Sequence, residues 1–146
     1  MKLHMLFEGS GVKWKTIEGF PGYEVSNTGK IRNAVTKMEL KQQEHYGKDK
    51  KEPYFRVKIR NSTQLKNIRV SRAVAFAFLG NPPGPGFEVD HKDGNRANNN
   101  VTNLEWVTPI ENQHRKHEML RRTKAEQAKA KKAAARNKNL DPNVNG

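Results

Sequence analysis

The chain has 146 residues, with 28 Lys and Arg against 15 Asp and Glu, so it carries +13 with neutral histidines and a sequence pI near 10.1. Such self-repulsion does nothing for folding and points instead to a polyanionic partner, nucleic acid before a membrane surface. The length allows one modest domain, or two very small ones sharing contacts, and excludes a large multidomain enzyme. A hydrophobic share of 34% is low for a globular chain and leaves part of it outside any core. The absence of cysteine excludes disulfides, a thiol nucleophile and cysteine-based zinc sites, so a metal would have to be held by Asp, Glu, His or Asn. No apolar run reaches the roughly 18 residues of a membrane span, and Met1 to Phe7 is too short for a signal peptide. No membrane association and a cytoplasmic location are the expectations.

From Trp14 to about Val70, short strand-like runs alternate with turn residues. Tyr23–Ser26 and Lys30–Arg32 flank Asn27-Thr28-Gly29 and predict a hairpin. A second hairpin is predicted between Tyr54–Arg60 and Asn67–Val70, across a polar turn near Asn61-Ser62-Thr63. Its alternation puts Phe55, Val57 and Ile59 on a packing face and Arg56, Lys58 and Arg60 on a cationic one. Next, Ser71 is expected to cap a short helix over Ala73–Leu79, apolar nearly all round and hence buried, with Gly80 as its stop. Asn81–Gly86, rich in Pro and Gly, separates it from the following unit.

Glu88-Val89-Asp90-His91, an Asn-rich loop, Asn103–Val107 and then Thr108-Pro109-Ile110-Glu111-Asn112 predict strand, loop, strand and helix. The helix start is well marked by Thr108 at the N-cap, Pro109 in the first position and Glu111 closing a capping box. Asn95, Asn98, Asn99 and Asn100 suit Asx turns, which lets a polar loop be ordered. Beyond it the charge concentrates. A cut after His114 leaves 18 basic and 12 acidic residues before it (+6) and 10 basic and 3 acidic after it (+7). Met119–Lys138 is mostly Ala, Lys, Arg and Gln, favourable to helix but with no face to bury, so the helix is expected to be marginal until it meets a partner. Asn139–Gly146 is expected to be a disordered end.

Asp90-His91, Asn103 and Asn112, the last 22 positions after Asp90, resemble the HNH nuclease motif in the variant whose third position is Asn, found in phage and intron-encoded homing endonucleases. Val70–Phe78 ahead of the motif and Asn103–Thr108 within it are similar too. Trp14–Ile17, Gly22–Asn27 and Gly29–Arg32 resemble the small nuclease-associated module that accompanies these enzymes. The likeness covers about residues 12 to 117. It implies an α+β chain in three parts: an antiparallel β module at 12–69, a ββα-metal (His-Me finger) nuclease core at 70–118, and a basic helical tail at 119–146 ending in disorder.

The same resemblance implies a metal-dependent endonuclease that nicks or cleaves duplex DNA. Asp90 and Asn112 would bind one divalent ion, Mg²⁺ or else Mn²⁺, His91 would activate the attacking water, and Asn103 would hold the loop that orients His91. The residue types suit this chemistry. Carboxylate and amide oxygens are hard ligands, and imidazole is the side chain whose proton affinity matches neutral pH. Because neighbours on a regular strand face opposite ways, Asp90 and His91 can serve one phosphate only if the strand twists or ends there. Family members tend to carry a His three residues after the helical Asn, where this chain has Arg115. His114 and His117 read as solvent or phosphate contacts, and Trp14 and Trp106 as core anchors. Arg72, Lys92, Arg96, Arg115, Lys116, Arg121 and Arg122 are candidate DNA contacts. The expected partner is double-stranded DNA, bound by a monomer. Compared with larger homing relatives, the chain leaves no room for a separate C-terminal helix-turn-helix reader, which predicts reduced long-site specificity. Two other readings share the scaffold: a catalytically silent DNA-binding protein, and a nonspecific phage nuclease.

Overall fold

The computed structural model describes residues 11–48, 50 and 52–139, with side chains as far as 135. Residues 1–7, expected not to be a signal peptide, and residues 140–146, expected to be disordered, lie outside the described residues. In chain order the elements are β1 (Trp14–Ile17), β2 (Phe20–Ser26), β3 (Ile31–Asn33), β4 (Gln43–Tyr46), β5 (Pro53–Arg60), β6 (Leu65–Arg69), α1 (Val70–Phe78), β7 (Glu88–His91), a 3-10 turn (Val101–Asn103), β8 (Leu104–Val107) and α2 (Pro109–Asn139). They form two compact units, one ending at Val107 and the other starting at Thr108.

In the first unit three small antiparallel sheets are ordered β1-β2-β3, β4-β5-β6 and β7-β8. The first expected hairpin is β2–β3, with Glu24 opposite Arg32 and Val25 opposite Ile31. Arg32 donates to Glu24 at 2.9 Å and its guanidinium lies 3.8 Å from the centre of the Trp14 ring, so the exposed side of this sheet is held by one cation serving two partners. Hydrogen bonds from Arg32, and then from Lys37, hold the Glu24 carboxyl below the usual carboxylate range. The second hairpin is β5–β6, from Arg56 opposite Arg69 to Arg60 opposite Leu65. Its alternation is as expected at Val57 and Ile59, both buried, and at Lys58 and Arg60, both exposed. Composition gave no sign of β4, whose four residues, Gln43–Tyr46, are all exposed; it is an edge strand recruited by backbone pairing to β5.

The α1 helix differs from expectation at its start. It begins directly off β6 at Val70, with Arg69 rather than Ser71 at the N-cap and no side-chain cap bond. Ser71 is inside the helix and buried. Apolar burial of Val70, Ala73 and Val74 therefore decides where the helix starts, outweighing the roughly 1 kcal/mol of a side-chain cap. At the other end Gly80 adopts φ +84°, the left-handed conformation in which glycine ends a helix without strain.

One hydrophobic core joins all of these parts. Ile17, Phe20, Val25 and Ile31 come from the first sheet, Val57 and Ile59 from the second, Val70, Ala73 and Val74 from α1, Val101 from the 3-10 turn and Leu104 from β8. Trp106, expected as a core anchor, is half-buried outside this core: its indole N–H donates to the Gly80 carbonyl at 3.1 Å, and its ring meets Phe76 edge-on at 5.0 Å.

The second unit is α2, 31 residues in one continuous helix through both Asn112 and the basic stretch. Its start is the expected capping box: the Glu111 N–H donates to Thr108 Oγ1 at 3.2 Å, and the Thr108 N–H donates to Glu111 Oε2 at 3.3 Å. From Gln113 to Ala135 every side chain is exposed, consistent with a sequence that offers no apolar face. Glu118 pairs with Arg122 at 3.1 Å, one turn on.

Candidate active site

β7 is four residues long and pairs with β8, Asp90 opposite Glu105 and His91 opposite Leu104. The strand ends at His91, which meets the condition set by the adjacency of the two residues. A turn closes immediately, the Gly94 N–H donating to the His91 carbonyl at 2.8 Å, while the Lys92 N–H donates to the Asn103 carbonyl at 2.8 Å. Asp90 is half-buried and His91 buried, at 7% exposure.

The loop from Lys92 to Asn100 has no strand or helix and is ordered by side chains. Asp93 is its hub. Its Oδ2 accepts from Asn98 Nδ2 at 2.9 Å, and its Oδ1 accepts from the Asn95 N–H at 2.8 Å and from Asn103 Nδ2 at 2.9 Å. Asn103 also donates to the Asn98 carbonyl at 2.9 Å and accepts from the Asp93 N–H at 3.1 Å, so its one amide ties the loop at three points. Asx turns at Asn95, Asn98 and Asn100 complete the ordering, as their sequence suggested.

The hydrogen bond from Asn98 first, then those from the Asn95 backbone and Asn103, with the charge of His91 adding to them, hold the Asp93 carboxyl below the usual aspartate range. A depressed folded-state value means that this network stabilises the protein above the pH at which a free aspartate titrates, and that the contribution is lost as pH falls through the lower, folded value. Acidification is therefore expected to release the Asn95 and Asn103 amides from hydrogen-exchange protection before the core amides of β5. In Asp93→Asn that acid step is expected to disappear and protection of the loop to be low at every pH. Unchanged loop protection in this variant would remove Asp93 as the hub.

The residue that touches His91 is Asn99, for which the sequence predicts only a part in turns. Its Oδ1 lies 2.8 Å from His91 Nε2, and both side chains are buried, Asn99 at 5% exposure. Which member of an Asn run turns inward depends on the fold around the run, so composition carries no signal for it. Asn103, by contrast, acts on the loop and not on the imidazole.

The other candidates lie on several elements. Asn112 lies in the first turn of α2, its N–H donating to the Thr108 carbonyl at 3.0 Å, and Arg115, Lys116, Arg121 and Arg122 follow on the exposed surface of that helix. In the first unit Arg72 and Lys92 are exposed. Arg96 has internal work: it donates to the Glu52 carbonyl at 2.7 Å and stacks 4.2 Å from the centre of the Tyr54 ring, pinning the loop to the second sheet. Among the described residues no three His, Cys, Asp or Glu side chains converge into a metal-binding group, and no helix is long and apolar enough to cross a membrane.

The HNH endonuclease family pattern matches residues 69–114, and the NUMOD4 motif matches residues 13–60. An uncharacterized HNH endonuclease of Acanthamoeba polyphaga mimivirus is 43% identical over 95 residues, which are 65% of this chain and 27% of that protein. DNA endonuclease I-HmuI of Bacillus phage SP01 is 40% identical over 106 residues, 70% of this chain and 58% of that protein. A solved structure of I-HmuI, described as showing DNA binding and cleavage by an HNH homing endonuclease, superposes with a TM-score of 0.58 at 37% identity, covering 80% of this chain and 65% of that one. The chain thus spans little more than half of one of these relatives and about a quarter of the other. Its two matched regions meet in a single core, and their order along the chain is the order read from the sequence. The chain carries an HNH endonuclease domain behind a NUMOD4 motif and is a homologue of the phage HNH endonuclease I-HmuI.

Proposed function

We propose that the protein is a metal-dependent DNA endonuclease of the phage homing type, hydrolysing phosphodiester bonds in duplex DNA as a monomer. The observation that carries this reading is a carboxylate and an imidazole at successive positions where β7 ends, the imidazole pinned by a buried amide oxygen. His91 takes the proton of the attacking water, and Asn103 holds the loop from which His91 is supported. Asp90 and Asn112 would hold one divalent ion, which would supply positive charge to the phosphate and to the leaving group.

The donors suit such an ion. One carboxylate and one amide oxygen, with no larger group of His, Cys, Asp or Glu among the described residues, leave most positions to water and phosphate oxygens. Mg²⁺ characteristically binds in that way, with Mn²⁺ as its nearest substitute. The division of labour places DNA positioning in residues 12–69, hydrolysis in 70–118 and added affinity in 119–146. Arg72, Lys92, Arg96, Arg115, Lys116, Arg121 and Arg122 contact phosphates. Interactions of this kind fix position on a duplex without reading its sequence. One active-site set per chain cuts one strand per visit.

The test is incubation of supercoiled plasmid with the protein in Mg²⁺, in Mn²⁺ and in EDTA. Nicked circles with either metal and none in EDTA are expected. Cleavage undiminished in EDTA would sink the metal assignment, and binding without cleavage in any metal would leave the DNA-binding scaffold reading standing. The tail makes a separate prediction. Truncation after Leu120 removes Arg121, Arg122 and the lysines beyond them, and is expected to weaken duplex binding. The salt dependence of binding should flatten with it, by about 0.9 in slope for each phosphate that the shortened chain leaves un-neutralised. An unchanged slope would dismiss the tail as a binding element.

A further inference from the structure

The β2–β3 turn of the N-terminal module reaches the support of His91. Gly29 ends this turn at φ +94°, and a Cβ built on it would stand 2.8 Å from Asn99 Cβ and 3.0 Å from the Asn99 carbonyl oxygen. Both are closer than a real side chain can comfortably approach, so the two backbones fit together only because residue 29 has none. One hydrogen bond crosses the junction and one holds Gly29 within its own module. The Val101 N–H donates to the Asn27 carbonyl at 2.8 Å, and Gln42 Nε2 donates to the Gly29 carbonyl at 2.8 Å. The turn itself is held by Ser26, whose Oγ accepts from the Lys30 N–H at 2.9 Å, and by Asn27, whose Oδ1 accepts from the Lys13 N–H at 2.8 Å. A wall belonging to one module therefore backs the residue that touches the imidazole of the other.

We propose that Asn99 is a positioning residue for His91, and that the Gly29 turn sets where Asn99 stands. An amide oxygen can only accept, so the bond to Oδ1 puts the ring proton on Nε2 and leaves the lone pair of Nδ1 as the base. It also fixes the ring plane, which a buried imidazole without a partner would not hold. The N-terminal module then governs the rate of hydrolysis as well as the placing of DNA, through Gly29, Asn99 and His91 in series. The inference deepens the reading of His91 as the base and rests on it.

The experiment uses the full chain, supercoiled plasmid and Mg²⁺, with Asn99→Ala, Asn99→Asp, Gly29→Ala and His91→Ala. Asn99→Ala is expected to lower kcat by about 10- to 100-fold with KM little changed, the range for losing the partner that orients a functional histidine. Asn99→Asp keeps an acceptor oxygen and is expected to recover part of that loss. Gly29→Ala is expected to lower kcat in the same sense while still binding duplex DNA. In a background of His91→Ala, adding Asn99→Ala is expected to change the residual rate by less than about twofold, since a residue acting only through His91 has nothing left to act on.

A long-range nitrogen–proton NMR spectrum of the ring supplies a readout independent of activity. The Nε2–H tautomer is expected in the parent protein, and a mixture of tautomers in Asn99→Ala. Full kcat in Asn99→Ala while His91→Ala is inactive would overturn this proposal alone. Full activity of His91→Ala would overturn the assignment of the base and this proposal with it. An unaltered ring spectrum in Asn99→Ala, or a further large loss on adding it to His91→Ala, would reduce Asn99 to a packing residue.

Discussion

His91→Ala is expected to lower the rate of plasmid nicking by about 10²- to 10⁴-fold, the range in which a positioned general base contributes. The deficit should fall on kcat, because a proton is taken from water in the transition state and not in the complex that precedes it. Binding of duplex DNA should be nearly unchanged, since the substitution leaves all 28 lysines and arginines of the chain in place. Asn112→Ala is expected to show a different signature. Removal of one of two proposed protein ligands weakens the hold on the ion, so raising the Mg²⁺ concentration should restore part of the missing rate, whereas His91→Ala should not respond. Gel-based nicking assays over a Mg²⁺ titration separate the two. A rate loss in His91→Ala that excess Mg²⁺ repairs would place that side chain among the metal ligands instead.

Ile31→Ala is expected to destabilise the first unit by about 2–5 kcal/mol, the cost of deleting a buried aliphatic side chain with partial collapse of the cavity. Ile31 is completely buried on β3, in the one core that also holds Val101 and Leu104 from the HNH segment. Against a typical total of about 5–15 kcal/mol this is a large fraction. The consequence extends beyond the module in which Ile31 lies. Denaturation followed by the fluorescence of Trp14 on β1 in a Trp106→Phe background, and of Trp106 on β8 in a Trp14→Phe background, should give midpoints lowered together by Ile31→Ala. A shift confined to the Trp14 probe would mean that the two matched regions fold as separate domains.

The shared core bears on how the two regions are regarded. Small nuclease motifs bury little surface for their length, and β7–β8 is only a two-stranded ribbon of four residues a strand. A ribbon of that size is marginal alone. Here Leu104 and the partly buried Val89 join the core formed by α1 and the sheets of the N-terminal module, which makes that module part of the scaffold on which the loop from Lys92 to Asn100 is built.

Much of this could be read from the chain itself. The hairpins β2–β3 and β5–β6, the buried α1, the strand-loop-strand order around Asp90 and His91, and the Thr108–Glu111 capping box all arise from local signals: alternation, turn residues and cap chemistry acting within a few positions. The charge excess and its concentration after His114 were equally plain, and with them the expectation of a polyanionic partner. The ordered set Asp90, His91, Asn103 and Asn112 was enough to indicate the HNH motif. Local chemistry was misleading at Ser71, a good cap residue that the helix absorbs because burial of Val70 and Val74 outweighs it. It was silent at β4, whose exposed residues show no pattern and which exists because β5 offers an edge.

The tertiary structure alone decided which residue of an Asn-rich run supports the imidazole. Asn95, Asn98, Asn99 and Asn100 are chemically equivalent in the sequence, and each has the same capacity for turns. Asn99 is distinguished by being pressed inward against Gly29, some 70 positions earlier. An approach between residues so far apart leaves no local periodicity or spacing to read. It exists because the core brings the two segments together and because glycine leaves room for them to touch.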